Sequence, residues 1–317
     1  MQRRYDILVV GELNIDLILN KIKEFPKIGA EILADEMTLT LGSSSAIFAS
    51  NISTLGAKVS FVGKIGNDLF GKLVLQSLKE KKVSTDLILL SPTEKTGATI
   101  VLNYDEDRAM VTHPGAMETL FSEDITDEYL VLAKHMHVSS IFLQPGLKNN
   151  ITELFKRAKD AGLTTSLDIQ WDPAEKWDLD FEKLLPYVDV FLPNKEEIKA
   201  ITGKNTVDEA LEVLGKYSNI VAVKLGNEGA VGYSKGEKIN ASPFLNNKLV
   251  DAIGAGDSFN AGFLFQYLKG HSLAKCLEFG NLTGAINTTS AGGTGAFENI
   301  EKFKEIAKNR FNNEVAI

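Results

Sequence analysis

The alternation of apolar and polar positions along the chain predicts an α/β protein. Short apolar runs such as "YDILVV" (5–10) and "NIVAVK" (219–224) have the length and β-branched content of buried strands. They alternate with stretches such as "NNITELFKRAKDAG" (149–162), in which apolar residues recur at helical spacing. This rhythm, clearest after residue 117, indicates a mostly parallel, doubly wound sheet with helices on both faces. Ligand sites in such sheets gather at the carboxyl ends of the strands.

Other local patterns add further elements. "SSSAIFASNISTLG" (43–56) predicts a helix with a serine cap that stops at Gly56, and "KVSFVGKIG" (58–66) predicts a single strand. "GAVGYSKGEKINA" (229–241) predicts a hairpin. Two half-exposed strand regions, near 15–41 and 97–112, predict a small β-sheet that projects from the main body. Residues 1–317 are therefore expected to form one domain with a small β lid.

Composition and charge narrow the class of protein. The 317 residues are 44% hydrophobic and carry a formal net charge of −8, which argues against binding to nucleic acids or anionic membranes. The single cysteine, Cys276, excludes an intrachain disulfide and lies in a helical pattern that predicts burial. No apolar stretch reaches transmembrane length. A cytoplasmic protein whose partners are small molecules is expected.

The segment "DAIGAGDSFNAGF" (251–263) carries the most informative chemistry. Gly254, Ala255 and Gly256 precede Asp257 at the start of a predicted helix, where free backbone N–H groups and the helix dipole favour an anion. A carboxylate beside that anion makes sense as a base acting on a second reactant, as in phosphoryl transfer to a hydroxyl. The alternative is a glycine-rich turn that leads into a core helix.

Three other patterns are weaker candidates for ligand or metal sites. "GNDLFGKL" (66–73) has the spacing of a P-loop, but Leu73 replaces the hydroxyl residue that ligates Mg²⁺. "GNEGAVG" (226–232) has dinucleotide-like glycines, but a predicted hairpin follows, which argues against a dehydrogenase. His135 and His137 share one face of a strand, yet the local sequence suggests no third metal ligand.

Taken together, the motifs resemble the PfkB carbohydrate kinase family of ribokinase-like sugar kinases. The resemblance rests on the order and spacing of "GELNID", "GSSSAIFASNISTLG", "GKIGNDLFG", "PNKEE", "KLGNEG" and "DAIGAGDSF", over nearly the whole chain. It implies a ribokinase-like fold with a β lid, which closes over the sugar and can also serve as a dimer contact. It implies transfer of the γ-phosphate of ATP, with magnesium, to a sugar hydroxyl.

The resemblance also assigns roles in catalysis and nucleotide binding. Asp257 would be the catalytic base, and Gly254, Ala255 and Gly256 would stabilise the transferred phosphoryl group. Asp251 would support a monovalent cation such as potassium, with turn capping as the alternative. The remaining nucleotide-side candidates are Asn194, Lys224, Gly226, Gly229 and Gly292, with Glu197 holding magnesium through water. A helix cap is the alternative for Asn194 and Glu197, and a surface lysine for Lys224.

On the sugar side, Asn14 and Asp16 would bind sugar hydroxyls, with a buried cap as the alternative. Gly42 matches the first glycine of the family's Gly-Gly-x-x-x-Asn segment. Ser43 replaces the second glycine, and Ile47 replaces the asparagine that normally contacts the sugar. This departure leaves open a substrate other than ribose.

Three further positions are expected near the same cleft. Arg108, in the predicted turn "DEDR" (105–108), would reach an acidic or phosphorylated sugar, or else would be a solvated turn residue. Asp168 and Gln170 follow another central strand and are placed near the cleft without a specific role.

Two alternatives to a sugar kinase remain. Ile47 and Phe48 are compatible with the apolar base pocket of a nucleoside kinase. A non-catalytic ligand-binding relative is the other alternative, but the intact Gly254-Ala255-Gly256-Asp257 set argues against it.

Overall fold

The computed structural model describes residues 3–104 and 107–317. The strands in these residues are β1 (Tyr5–Val10), β2 (Asn14–Asn20), β3 (Glu36–Leu41), β4 (Val59–Val62), β5 (Lys64–Gly66), β6 (Leu89–Ser91), β7 (Gly97–Tyr104), β8 (Asp107–His113), β9 (Ala133–Ser139), β10 (Thr164–Asp168), β11 (Val190–Phe191), β12 (Ile220–Lys224), β13 (Ala230–Ser234) and β14 (Glu237–Ala241). The helices are α1 (Ser44–Thr54), α2 (Leu69–Glu80), α3 (Asp127–Leu130), α4 (Pro145–Asn149), α5 (Ile151–Asp160), α6 (Phe181–Leu184), α7 (Lys195–Thr202), α8 (Val207–Leu214), α9 (Ala255–Leu268), α10 (Leu273–Asn287) and α11 (Ile300–Phe311).

The main sheet has the strand order β14-β13-β12-β11-β10-β9-β1-β4. Parallel pairing joins β4, β1, β9, β10, β11 and β12 in that spatial order. The predicted hairpin β13–β14 then continues the sheet with antiparallel pairing. Along β1, Ile7 and Val9 enter one apolar core while Leu8 and Val10 enter the other, and all four are fully buried. Because successive side chains point to opposite faces, both faces of the sheet are covered, as the sequence predicts.

The direction of winding changes beside β1. From β1 the chain passes through α1 to β4 on one side of β1, and it later adds β9 on the other side. In an open α/β sheet this switch point, at the carboxyl ends of the strands, is where a cleft forms.

A smaller sheet has the strand order β3-β2-β7-β8 and is hydrogen-bonded as a unit separate from the main sheet. The two excursions predicted near 15–41 and 97–112 supply its strands, with β2 parallel to β7 and antiparallel to β3. Residues 105–106 of the predicted turn lie outside the described residues. Arg108 belongs to β8, where its backbone pairs with Asn103, and its side chain is outside what the structure describes.

The prediction of a single strand over 58–66 is wrong. β4 pairs with β1 in the main sheet, whereas β5 leaves it and pairs with β6 in a separate two-stranded sheet. The change occurs at Gly63, whose carbonyl oxygen accepts a hydrogen bond from the backbone N of Leu89 at 2.8 Å. A continuous apolar run does not reveal such a change of partner, because both strands bury their side chains.

Two expectations from composition can be compared with the structure. Cys276 lies on α10 and is 1% exposed, and burial raises the pKa of its thiol to about 12. It is therefore an unreactive core thiol. In the part of the chain that the structure describes, no helix combines the length and the apolar character needed to cross a membrane.

Candidate active site

A cleft of about 1260 Å³ opens between the carboxyl ends of the main sheet and the smaller sheet. It collects most of the residues singled out from the sequence. Those that line it are Asn14, Asp16, Ser43, Ile47, Gln170, Asn194, Glu197, Lys224, Gly226, Gly254, Gly256 and Asp257. Motifs from the whole length of the chain therefore meet in one place.

The parallel strands explain why these motifs converge. Glu12, Ser140, Gln170 and Asn194 follow closely after β1, β9, β10 and β11, and Lys224 ends β12. All five line the cleft. Because the carboxyl ends of parallel strands share one edge, residues distant in sequence become neighbours there.

The loop before α9 has the backbone shape of an anion-binding turn. Gly254 caps the helix with φ of +74°, and a Cβ there would lie 2.6 Å from Cα of Gly293. Both features require glycine. Helix α9 begins at Ala255, and Gly256 and Asp257 in its first turn line the cleft. The positive end of the helix dipole therefore opens onto the cleft, where it favours a negatively charged group.

Asp257 is nearly buried at the base of this loop, with 6% of its surface exposed. Burial, with the nearby carboxylates of Asp168 and Glu12, raises the pKa of Asp257 well above its ordinary value, while Lys224 opposes the rise. A raised pKa brings a carboxylate closer to the range in which it acts as a general base near neutral pH.

Asp168 lies fully buried behind Asp257 and gathers three donors. Its Oδ2 accepts hydrogen bonds from Lys224 Nζ at 2.8 Å and Gln170 Nε2 at 2.9 Å, and from the amide of Asn260. The sequence placed Asp168 and Gln170 near the cleft but did not predict this network.

Lys224 brings the one positive charge of the network. Burial disfavours its charge, but Asp168 and the other nearby carboxylates outweigh that and raise the pKa of its ammonium. A Cβ placed on Gly256 would lie 3.7 Å from Lys224 Nζ, so the charged ammonium lies against the first turn of α9.

Asn194 and Glu197 form a reciprocal cap at the start of α7. The Asn194 side chain accepts from the backbone N of Glu197, and Glu197 Oε2 accepts from the backbone N of Asn194, both at 2.9 Å. The structure therefore has the helix cap that is the alternative role of these two residues, and both also line the cleft. Burial, with the charge of Asp168, raises the pKa of Glu197 to about 7.

Asn14, Asp16 and Gly42 meet on the side of the smaller sheet. Asn14 Nδ2 donates to Thr99 Oγ1 at 2.8 Å, while its Oδ1 is buried without a hydrogen-bond partner in the described residues. A Cβ on Gly42 would lie 2.3 Å from Asp16 Oδ1, so glycine is required for this close approach. A buried acceptor without a donor is costly, and a ligand hydroxyl that donates to Asn14 would remove the cost.

Ser43 stands where the resembled family has glycine, and its backbone explains that preference. Its φ of +70° is one that glycine adopts without strain. The serine Oγ accepts from the backbone N of Ala46 at 3.0 Å and donates to the carbonyl oxygen of Glu12 at 2.6 Å. These two hydrogen bonds offset the strain and cap α1.

Ile47 and Asn51, on successive turns of α1, have different surroundings. Ile47 lines the cleft and is 3% exposed. Asn51 is fully buried, and its Nδ2 donates to Ser258 Oγ and to the carbonyl oxygen of Gly293, both at 2.9 Å. Asn51 therefore ties α1 to α9 and does not replace the missing asparagine at position 47.

Some candidate residues lie apart from the cleft. Asp251 and Gly292 line a second cavity of about 330 Å³ beside the smaller sheet. Asp251 Oδ1 accepts from the backbone N of Ile253 at 2.9 Å, and Oδ2 accepts from that of Gly292 at 2.8 Å. These contacts favour turn capping for Asp251. Gly229 is not among the residues lining either cavity; its carbonyl oxygen accepts from the backbone N of Leu225 at 2.9 Å.

His135 and His137 are buried within the main sheet. One ring nitrogen of each lies 2.7 Å from Ser166 Oγ. Burial, with the nearby charge of Lys224, lowers the pKa of His137 to about 3, so the ring is neutral. Among residues 3–104 and 107–317, no group of three His, Cys, Asp or Glu side chains could hold a metal ion.

Sequence reasoning missed an apolar wall on the cleft. Met110, Phe142, Leu143 and Trp171 line it, and Trp171 remains 48% exposed. Its ring packs edge-to-face on Trp177, with centroids 5.0 Å apart. The signal for Trp171 was present in "SLDIQWD", where the aromatic residue comes directly after Gln170, three residues beyond the end of β10.

Comparison with known proteins gives consistent matches. A model of the pfkB family carbohydrate kinases matches residues 4–300. A protein of Archaeoglobus fulgidus named "Uncharacterized sugar kinase" is 31% identical over 234 residues, covering 74% of this chain and 92% of that protein. The structure of Arabidopsis thaliana ribokinase complexed with ribose and ATP has a TM-score of 0.77 and 25% identity, covering 94% of this chain and 95% of that one.

A second solved structure is similar at the same level. Adenosine kinase from Sinorhizobium meliloti has a TM-score of 0.79 and 25% identity, covering 92% of this chain and 95% of that one. The two solved structures share the fold of this chain over nearly its whole length, which confirms the predicted ribokinase-like fold.

Proposed function

The chain belongs to the pfkB family of carbohydrate kinases, and we propose that it transfers the γ-phosphate of ATP to a hydroxyl group of a sugar or sugar-like acceptor. The observation that carries this proposal is the position of Asp257. It lies in the first turn of α9, beside an anion-binding loop, in the cleft that Asn14 and Asp16 also line. A base, an anion site and hydroxyl-binding groups are what this reaction requires.

In the proposed reaction, the acceptor oxygen attacks the γ-phosphorus as its proton passes to Asp257. The bond between the γ-phosphorus and the bridging oxygen breaks, and ADP leaves with the electron pair. The N–H groups of Gly254 and Gly256, with the dipole of α9, stabilise the negative charge on the transferred group, whereas the N–H of Ala255 donates to the carbonyl oxygen of Ala252 at 3.3 Å. The ammonium of Lys224 lies against the first turn of α9 and adds a positive charge.

The donor set on the nucleotide side fits a magnesium ion bound largely through water. Asn194 and Glu197 offer oxygen atoms on the cleft wall but use them in the cap of α7. Mg²⁺ retains several waters and binds few protein carboxylates when phosphates are present. When bound, the ion would neutralise phosphate charge. Gly226, at the turn after β12, provides further wall for the nucleotide.

The experiment is ADP release from Mg-ATP across a panel of neutral sugars, sugar acids and nucleosides, with Asp257→Asn as the control. We expect one preferred acceptor, and at least a hundredfold loss of turnover in the folded variant, because general-base catalysis contributes about that much. Near-normal turnover in Asp257→Asn would remove Asp257 as the base.

A nucleoside kinase is the second candidate, favoured by the apolar wall. Ile47 replaces a polar contact, and Trp171 and Phe142 face the same cleft as the hydroxyl-binding residues. Such a wall suits a flat base better than a free sugar. The same panel separates the candidates, since a nucleoside kinase would turn over a nucleoside in preference to ribose.

We also propose that residues 1–317 act as one kinase domain, with the smaller sheet as a lid and dimer contact. Cross-strand pairing puts Met37, Leu39, Ile100 and Val111 on the face opposite the cleft, and all four are exposed. An exposed apolar face of this kind marks an interaction surface. Sedimentation should show a dimer that Ile100→Lys dissociates, and a monomeric wild-type protein would contradict the proposal.

A further inference from the structure

Gln170 contacts Asp257, and this contact has no role in the reaction as proposed so far. It lies two residues beyond the end of β10 and lines the cleft. Its Nε2 is 3.0 Å from Asp257 Oδ1 and 2.9 Å from Asp168 Oδ2. One side-chain amide therefore bridges the carboxylate in the first turn of α9 and the buried carboxylate that ends β10.

The chemistry of an amide determines the direction of both hydrogen bonds. Ionised carboxylates only accept, and a glutamine amide nitrogen carries two hydrogens. The nitrogen must therefore face both aspartates, with one hydrogen for each. Without this bridge, two nearby carboxylates would repel each other, and the side chain of Asp257 would lose one of the hydrogen bonds that hold it, although the one from Ser44 would remain.

Asp168 is a fixed anchor for this bridge. It is fully buried, and its Oδ2 also accepts hydrogen bonds from Lys224 and Asn260. The backbone of Gln170 has φ of +57°, and its N–H lies 3.3 Å from Asp168 Oδ1. Both ends of the Gln170 side chain are thus held, so it can transmit a fixed position to Asp257.

We propose that Gln170 is a positioning residue that holds Oδ1 of Asp257 and thereby presents Oδ2 to the acceptor hydroxyl. The proposal rests on the proposed function, because it takes Asp257 to be the base. The donated hydrogen bond also favours the ionised carboxylate, which is the form that accepts a proton. Gln170 itself touches neither the acceptor nor the phosphate in this role.

The kinetic test uses Gln170→Met, which keeps the length of the side chain but removes the donor. We expect kcat to fall roughly tenfold to a hundredfold, since small misplacements of catalytic groups have effects of that size. The KM values for ATP and acceptor should change less than about threefold, because ground-state binding is untouched. Gln76→Met is the matched control, since Gln76 lies on α2 outside the cleft and its amide donates to Glu80 on the same helix.

The pH profile distinguishes positioning from a general loss of structure. The charged groups that face Asp257 are Asp168, Lys224 and Glu12. All three remain in Gln170→Met, so loss of the donor should move the acidic limb of kcat/KM to higher pH. An unchanged acidic limb together with kcat within twofold of wild type would overturn the proposal.

A measurement on the unliganded protein separates this proposal from the proposed function. The carboxyl ¹³C signals of labelled aspartates are followed against pH by NMR, and the signal of Asp257 is identified with Asp257→Asn. A higher titration midpoint for Asp257 in Gln170→Met than in wild type supports the bridge even if no acceptor in the panel reacts. Equal midpoints overturn the bridge, whatever the kinase activity of the wild type.

Discussion

The Nζ atom of Lys224 lies 2.8 Å from Oδ2 of Asp168, and the two side chains are 11% and 0% exposed. The pair joins the end of β12 to the end of β10, behind the loop that precedes α9. Because both charges are buried away from water, each is stabilised by the opposite charge of the other. A buried ion pair therefore lies at the edge of the cleft, which Lys224 lines.

We predict that Lys224→Met destabilises the protein by roughly 3–5 kcal/mol, because the variant leaves Asp168 charged and buried without its main partner. The double variant Lys224→Met/Asp168→Asn should recover part of this loss, because the uncompensated charge is removed. Urea unfolding followed by circular dichroism measures the stability of Lys224→Met, of Asp168→Asn and of the double variant. If the double variant is as unstable as the sum of the two single variants, the two residues do not interact.

Replacement of Ser43 by glycine should destabilise the protein less than replacement by alanine. Alanine keeps the strained φ of +70° and loses both hydrogen bonds of the hydroxyl, so Ser43→Ala should cost about 1–2 kcal/mol. Glycine loses the same hydrogen bonds but relieves a strain of about 1 kcal/mol. Ser43→Gly should therefore lie within roughly 0.5 kcal/mol of wild type. Thermal unfolding measures the stability of both variants, and Ser43→Gly should have the higher melting temperature. A lower melting temperature for Ser43→Gly than for Ser43→Ala would contradict the prediction.

The fold could be predicted from sequence where one pattern had one structural solution. The strand β1 and the hairpin β13–β14 are each set by local periodicity, and the structure has both. The split between β4 and β5 was missed, because an apolar run looks the same whichever strand it pairs with. Pairing partners are a property of the tertiary structure, and no local signal encodes them.

The candidate site shows the same division. Asp257 and Gly254 could be found because their spacing and residue types have a chemical meaning in one short segment. The bridge from Gln170 could not be found, because it joins positions 87 residues apart through side-chain geometry. Trp171 was overlooked for a different reason, since a lone aromatic residue after a strand is more often part of a core.

Buried His137 should make folding stability depend on acidic pH. Its folded pKa of about 3 is depressed below the ordinary value of 6.5, so the contribution is fully present above pH 6.5 and is lost as pH falls toward 3. At pH 5 the loss should be about 2 kcal/mol relative to pH 7. His137→Leu should flatten this part of the curve of unfolding free energy against pH. An unchanged slope in the variant would show that His137 does not titrate on unfolding in this range.

Trp171 should report acceptor binding directly, because the chain has only two tryptophans and one of them lines the cleft. An acceptor that covers its ring, now 48% exposed, should remove water and shift the fluorescence emission to shorter wavelength. Trp171→Phe should abolish the shift, whereas Trp177→Phe, which alters the packing partner behind it, should retain the shift. A shift that survives in Trp171→Phe and disappears in Trp177→Phe would mean that the acceptor does not contact the apolar wall. Titration with nucleosides and with free sugars then shows which class of acceptor binds more tightly beside the apolar wall.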